Sequence, residues 1–153
     1  MALYLVQHGA AHPGESDPER TLTDQGRLDV SRIAEVARGY RVKVNAVMHS
    51  GKTRARQTAE IFADILGPSI PLYVEAEMGP KDDAAAFAAR LDNTADRMYV
   101  GHLPFMERLT SFLVGASIER PVFRFQNGGI LCLDLLPETG LWVIKWALMP
   151  IID

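Results

Sequence analysis

The chain has 153 residues, of which 48% are hydrophobic and 23% are charged, and its formal net charge is −3. This length and composition are typical of one globular domain with a sizeable core, which we expect to cover residues 1–153. No basic run or tail supplies the charge that broad binding to nucleic acid or a membrane surface requires, so we expect neither partner. Met1 leads directly into an apolar segment and Cys132 is the single cysteine, which together favour a cytoplasmic protein without a disulfide.

The predicted elements alternate between strands and helices. In chain order they are a strand over 2–6, a helix over 24–39, strand 42–48, helix 52–66, strand 70–74, helix 81–91, strand 97–100, helix 103–114, and strands 129–136 and 141–148. This alternation predicts right-handed crossovers and a three-layer α/β/α fold with a mostly parallel sheet. The last two strands predict a hairpin that adds an antiparallel strand.

The first predicted helix carries one apolar face. Thr23 is a plausible N-cap residue directly before it. Five residues recur at helical spacing and are expected to pack on the sheet. They are Gly26, Val30, Ile33, Ala37 and Tyr40.

Three of the four histidines directly follow predicted strands: His8, His49 and His102. In open α/β sheets, ligands bind beyond the carboxyl ends of the strands. Gly9, which follows His8, lets the backbone turn tightly or approach a ligand closely. We therefore predict that the three imidazoles lie at one edge of the sheet.

The helix after His49 begins with the cations Lys52, Arg54 and Arg56. Cations at a helix N-terminus are unfavourable by roughly 0.3–1 kcal/mol each, so their presence indicates a bound anion or, alternatively, a solvated basic turn. Lys52 and Arg56 share an exposed face with Glu60, whereas Arg54 lies near the inward face. An inward arginine needs an anionic partner, and we favour a ligand anion over an internal carboxylate.

Two histidines and an arginine at one sheet edge suit phosphoryl transfer. A neutral imidazole can attack phosphorus, and a guanidinium with a second, protonated histidine can stabilise the developing charge. The competing chemistry is a metal site, because histidine is a common metal ligand. Neighbouring cations and the absence of an HExxH spacing speak against it, so we expect no metal and no cofactor.

The residues that carry this chemistry resemble those of a known family. The segments QHG at 7–9, SGKTRARQTA at 50–59 and VGH at 100–102 resemble the three signature segments of the histidine phosphatase superfamily, which includes the cofactor-dependent phosphoglycerate mutases. The loop SDPERTLT at 16–23 and the compact length are most similar to the SixA-type phosphohistidine phosphatases. The resemblance covers essentially the whole chain and implies a phosphoglycerate mutase-like fold.

Within this resemblance, His8 is the nucleophile and becomes transiently phosphorylated. Arg54 binds the phosphoryl oxygens, and His102 stabilises the transition state. Ser50 helps to orient the pocket or serves as a simple helix N-cap. His49 is interpreted as a structural neighbour.

The resemblance also points to a general acid in the loop after His8. Asp17 best matches the loop acid of SixA-type proteins, with Glu15 and Glu19 as substitutes. All three are also interpretable as carboxylates that only solvate the loop. A phosphohistidine substrate reduces the need for an acid, because its P–N bond breaks readily once the leaving imidazole is protonated.

The chain departs from the family at Gln7, where the motif has arginine. An arginine makes charge-assisted contacts to phosphate, whereas an amide makes neutral ones, and the loss is worth about 2–4 kcal/mol of transition-state stabilisation. Either Lys52 supplies the missing charge, or the site is a weakened enzyme or a non-catalytic pocket. We expect retained activity, with Gln7, Gly9, Ser50 and Lys52 contacting the substrate.

The predicted function is that of a phosphohistidine phosphatase that acts on a phosphorylated protein through a phospho-His8 intermediate, without metal. Larger members of the family carry an inserted lid segment that this chain is too short to contain. Its absence implies an open site that a side chain of another protein can enter. A phosphatase for a small phosphate ester is the first alternative. A non-catalytic module that binds phosphoproteins, motivated by Gln7, is the second.

Overall fold

The computed structural model describes residues 1–152 and contains, within them, six strands and four helices. The elements are β1 (Ala2–Gln7), α1 (Asp24–Gly39), β2 (Ala46–His49), α2 (Thr53–Leu66), β3 (Leu72–Val74), α3 (Ala84–Ala88), β4 (Arg97–Gly101), α4 (Phe105–Gly115), β5 (Ile130–Leu136) and β6 (Leu141–Leu148). Their order confirms the predicted alternation of strands and helices, followed by a C-terminal hairpin.

The six strands form one sheet in the order β3-β2-β4-β1-β5-β6. Strands β1 to β4 run parallel to one another, whereas β5 runs antiparallel to both β1 and β6. The predicted fold class is therefore confirmed: a mostly parallel sheet to which a hairpin adds one antiparallel strand. Within residues 1–152, no helix has the length and hydropathy required to cross a membrane.

Alternate residues of β1 belong to two separate hydrophobic cores. Tyr4 and Val6 pack with α1 and α2 on one face of the sheet. Leu3 and Leu5 pack with α3 and α4 on the other face. Because successive strand residues point to opposite faces, both sides of the sheet are covered by helices, as a parallel sheet requires. This arrangement leaves the ends of the strands free to form a site.

Three sequence predictions of the elements need correction. The strand predicted over 42–48 begins only at Ala46, because the N–H of Val42 donates to the carbonyl of Ala37 and terminates α1 instead. Tyr40 is 77% exposed rather than packed on the sheet, because α1 ends at Gly39 and the apolar stripe ends with it. The helix predicted to reach residue 91 ends at Ala88, after one turn.

Candidate active site

The carboxyl ends of β1, β2 and β4 bring the three predicted histidines to one edge of the sheet. Strand β4 lies between the other two, and its register pairs Gly101 with Gln7 of β1 and Val100 with His49 of β2. The rings of His8 and His102 lie with their centroids 5.0 Å apart. The predicted juxtaposition of these two imidazoles is therefore present.

The ring of His8 is fixed in one tautomer. Its Nδ1 lies 2.7 Å from the carbonyl oxygen of Gly9, which can only accept, so Nδ1 carries the proton. The lone pair of Nε2 is left free for attack. The side chain is buried, and burial lowers the pKa of His8 to about 4 against the opposing effect of the bond to Gly9, with Arg54 and Arg20 adding to the decrease. At neutral pH the His8 ring is therefore uncharged.

The backbone of His8 is held by residues from two distant segments. Its N–H donates to the carbonyl of Gly101 at 3.0 Å. Its carbonyl accepts from the Nδ2 of Asn127 at 3.0 Å and from the N–H of Gly128 at 3.3 Å. Asn127 is a residue that the sequence analysis missed, because an Asn-Gly-Gly run before a strand signals only a turn.

Arg54 lies in the first turn of α2 with its guanidinium partly buried. Within residues 1–152 it forms no ion pair, and its buried Nε has no hydrogen-bond partner. Burial lowers the pKa of Arg54, and the charge of Arg20 adds to this effect, yet a guanidinium stays protonated at neutral pH. No carboxylate of residues 1–152 neutralises it, which favours a ligand anion as its partner.

The other two cations of this helix are exposed, as the helical phase predicts. Arg56 pairs with Glu60 at 2.7 Å, one turn along α2. Lys52 occupies the N-cap position, and its side chain is exposed. Lys52 therefore stands at the rim of the site rather than within it.

Ser50 and His102 are joined by a short hydrogen bond. Ser50 Oγ lies 2.6 Å from His102 Nε2 and also accepts from the N–H of Lys52 at 3.3 Å. The alternative role of Ser50 as the N-cap is wrong, because Lys52 holds the N-cap position of α2 and no side chain caps this helix. Burial lowers the pKa of His102 to about 3, followed by the charges of His8 and Arg54. His102 Nδ1 is buried without a partner within residues 1–152. A bound anion would raise the pKa of His102 and allow it to donate.

His49 ends β2 and forms a hydrogen bond within the turn that follows it. Its Nδ1 accepts from the N–H of Gly51 at 3.1 Å and stabilises the turn that leads into α2. Burial lowers the pKa of His49, and the charge of Arg56 adds to this decrease.

Asp17 points into its own loop. Its carboxylate accepts from the hydroxyl of Thr21 at 2.5 Å, from the N–H of Thr21 at 3.0 Å and from the N–H of Glu19 at 3.1 Å. These hydrogen bonds lower the pKa of Asp17, so it is ionised at neutral pH. This arrangement gives Asp17 a role in shaping the loop and disfavours it as a proton donor.

Gln7 ends β1 and directly precedes His8. Its side chain is 9% exposed, and its Oε1 is buried without a hydrogen-bond partner within residues 1–152. The amide adds no charge to the site. The positive charge that acts on His102 comes from Arg54, Lys52 and Arg20. In the same part of the chain, no group of three or more His, Cys, Asp or Glu side chains is arranged to hold a metal ion.

The fold and this edge of the sheet define a class of protein. The sequence profile of the histidine phosphatase superfamily (branch 1) matches residues 3–79 of the chain. The chain belongs to the histidine phosphatase superfamily and is a phosphatase, which confirms the resemblance found in the sequence.

Individual relatives match almost the whole chain. The phosphohistidine phosphatase SixA of Escherichia coli (strain K12) is 28% identical over 156 residues, which cover 98% of this chain and 94% of the relative. The structure of SixA complexed with tungstate matches with a TM-score of 0.85 at 26% identity, over 98% of this chain and 97% of that one. The alpha-ribazole phosphatase from Shigella flexneri shares the fold, with a TM-score of 0.77 at 16% identity over 100% of this chain and 98% of that one.

Proposed function

We propose that this phosphatase removes the phosphoryl group from phosphohistidine on a partner protein, through a phospho-His8 intermediate and without metal. The observation that carries the proposal is the pairing of an uncharged His8 with the guanidinium of Arg54, which has no carboxylate partner among residues 1–152. The similarity to phosphohistidine phosphatase SixA supports the choice of substrate.

In the first step, the lone pair of His8 Nε2 attacks phosphorus and the P–N bond of the substrate breaks. The substrate imidazole is protonated on its other nitrogen, so it leaves as a neutral ring and takes the electron pair of the broken bond. No protein acid is required for this departure, which agrees with the engagement of Asp17 within its loop. An alkoxide leaving group would need such an acid.

In the second step, water attacks the phosphorus of phospho-His8. The new O–P bond forms, the P–Nε2 bond breaks, and its electron pair returns to the ring of His8. Both protons of the water stay on the product, which leaves as dihydrogen phosphate. The Nδ1–H bond to Gly9 persists throughout and stabilises the cationic ring of the intermediate.

The neighbouring groups stabilise the charge on the transferred phosphoryl group. Arg54 contacts its oxygens as a fixed cation. His102, whose pKa the phosphoryl anion raises, is protonated and donates a second charge-assisted bond, while Ser50 holds its ring. The amide of Gln7 completes the substrate contacts. The predicted contact through Gly9 is replaced by a positioning role, because its N–H donates to Thr58 and its carbonyl accepts from His8.

The proposal is tested with a protein labelled on phosphohistidine and with small phosphate esters, in the presence and absence of a chelator. We expect the wild type and His12→Ala to release phosphate, because His12 is the exposed histidine of the loop. His8→Ala should release none and should form no covalent phosphoenzyme. Release from esters alone would support the alternative substrate class, binding without release would support a non-catalytic module, and loss of activity with chelator would contradict the metal-free step.

A further inference from the structure

The loop over 12–21 folds back onto the wall of the His8 site. Ala11 and Leu22, which flank the loop, form an antiparallel bridge, and Leu22 donates its N–H to Gln57 Oε1 of α2 at 2.8 Å. The side chain of Leu22 lies against Gly9, where an added Cβ would come within 3.2 Å of it. Both ends of the loop are therefore fixed beside the nucleophile.

Arg20 is held in this loop in an unusual conformation. Its backbone has φ of 51°, a left-handed value that a non-glycine residue adopts only where its surroundings impose it. Its N–H donates to the carbonyl of Asp17 at 2.9 Å, and its Nε donates to the carbonyl of His12 at 3.2 Å. These bonds set the direction of the guanidinium.

The two terminal nitrogens of Arg20 are free of protein partners within residues 1–152. The same loop holds three carboxylates, those of Glu15, Asp17 and Glu19, and Arg20 forms an ion pair with none of them. An arginine that is only partly exposed and forms no ion pair with the carboxylates of its own loop is available to bind another anion.

The charge of Arg20 reaches the centre of the site. It lowers the pKa of His8, Arg54 and His102, whereas Lys52 affects the pKa of His102 alone among these three. Arg20 and Arg54 therefore repel each other, and an oxyanion bound between them would offset this repulsion.

We propose that Arg20 is the second guanidinium of the phosphoryl site, binding the oxyanion opposite Arg54 and supplying the charge that Gln7 lacks. Arg20 then supplies the missing positive charge that the sequence analysis assigned to Lys52. This inference rests on the proposed function in that both require a phosphoryl group at His8. It assigns to the loop a direct contact with the substrate.

The test measures binding of tungstate, a phosphoryl-like oxyanion, by calorimetry, which needs no turnover. We expect Arg20→Gln to weaken tungstate binding at least about tenfold, as the loss of one charge-assisted contact implies. Arg27→Gln is the matched control, because Arg27 is exposed on α1, and its tungstate affinity should equal that of the wild type. Arg20→Asn, whose side chain tolerates a left-handed backbone, should show the same loss with the loop intact.

The double variant Arg20→Gln with Gln7→Arg sharpens the test. If one guanidinium replaces the other, Gln7→Arg should restore most of the lost affinity in the Arg20→Gln background. It should raise the affinity less in the wild-type background. Tungstate binding by both Arg20→Gln and Arg20→Asn within twofold of the wild type would overturn the inference. A wild type that binds tungstate through Arg20 but releases no phosphate from phosphohistidine would contradict the proposed function alone.

Discussion

The hydroxyl of Thr58 accepts a hydrogen bond from the backbone N–H of Gly9 at 2.9 Å. The same hydroxyl donates to the carbonyl of Arg54, one turn earlier in α2, at 2.8 Å. Thr58 is fully buried, so no water replaces these bonds. This one side chain therefore fixes the strand end that carries His8 relative to the helix that carries Arg54.

Replacing Thr58 by valine should disturb both stability and activity. Valine keeps the shape but leaves the buried N–H of Gly9 without an acceptor, which costs about 1–3 kcal/mol of unfolding free energy. We expect kcat/KM to fall about tenfold as His8 and Arg54 shift apart. Thr110→Val is the control, because buried Thr110 donates only to the carbonyl of Met106 in its own helix. Urea unfolding and kinetics that fail to distinguish the two variants would contradict this role.

Replacing Ser50 by alanine should impair catalysis without unfolding the protein. Its Oγ forms a hydrogen bond with Nε2 of His102. Without this bond His102 is less well oriented, which should raise the activation free energy by about 1–2 kcal/mol and lower kcat about 5- to 30-fold. Ser16→Ala removes an exposed hydroxyl that donates to the carbonyl of Pro13, and it should leave kcat unchanged. Steady-state kinetics would test the difference, and an unchanged kcat in Ser50→Ala would show that His102 is oriented by other groups.

The buried histidines should make stability depend on pH. In the unfolded chain a histidine has a pKa of about 6.5, whereas in the folded protein the pKa falls to about 4 for His8 and about 3 for His102. Between these values the unfolded state binds protons that the folded state excludes. The unfolding free energy is therefore not reduced by these two histidines above pH 6.5. It decreases as the pH falls from 6.5 towards 4 and 3, because proton uptake stabilises the unfolded state.

We expect the unfolding free energy of the wild type to decrease from pH 7 to pH 4.5. His102→Asn should show a shallower decrease, because it removes one of the two titrating rings while the carboxylates remain the same. Chemical denaturation at several pH values measures both slopes. Equal slopes for the two proteins would mean that His102 titrates normally in the folded state.

Glycine at position 26 lets α1 approach the loop that follows His8. A Cβ on Gly26 would lie 2.2 Å from the carbonyl oxygen of Ala10, which belongs to the rigid backbone. Gly26→Ala should therefore lower the unfolding free energy by about 1–3 kcal/mol or more. Gly39→Ala, at the open end of the same helix, meets no atom within 4 Å and should be neutral or slightly stabilising. Thermal unfolding that ranks them in the opposite order would contradict the close packing at Gly26.

The sequence predicted the features that depend on strand ends and helical phase. The positions of His8 and His102 followed from where strands end, and the inward position of Arg54 followed from its helical phase. The contacts of Asn127 and Thr58 could not be read in this way, because their partners lie 119 and 49 residues away in the chain. Asp17 was selected by its place in a motif, but local hydrogen bonds to Thr21 decide what its carboxylate does.

The hydrogen bonds from Asn127 and Gly128 to the His8 carbonyl determine when the protein can become active during its synthesis. By residue 102 a growing chain already carries the proposed nucleophile and its partners, but it lacks Asn127 and the strand β5 that pairs with β1. We expect the nascent chain to be inert on the ribosome until the β5–β6 hairpin has emerged. Enzymatic competence should thus be acquired only after this hairpin has paired with β1.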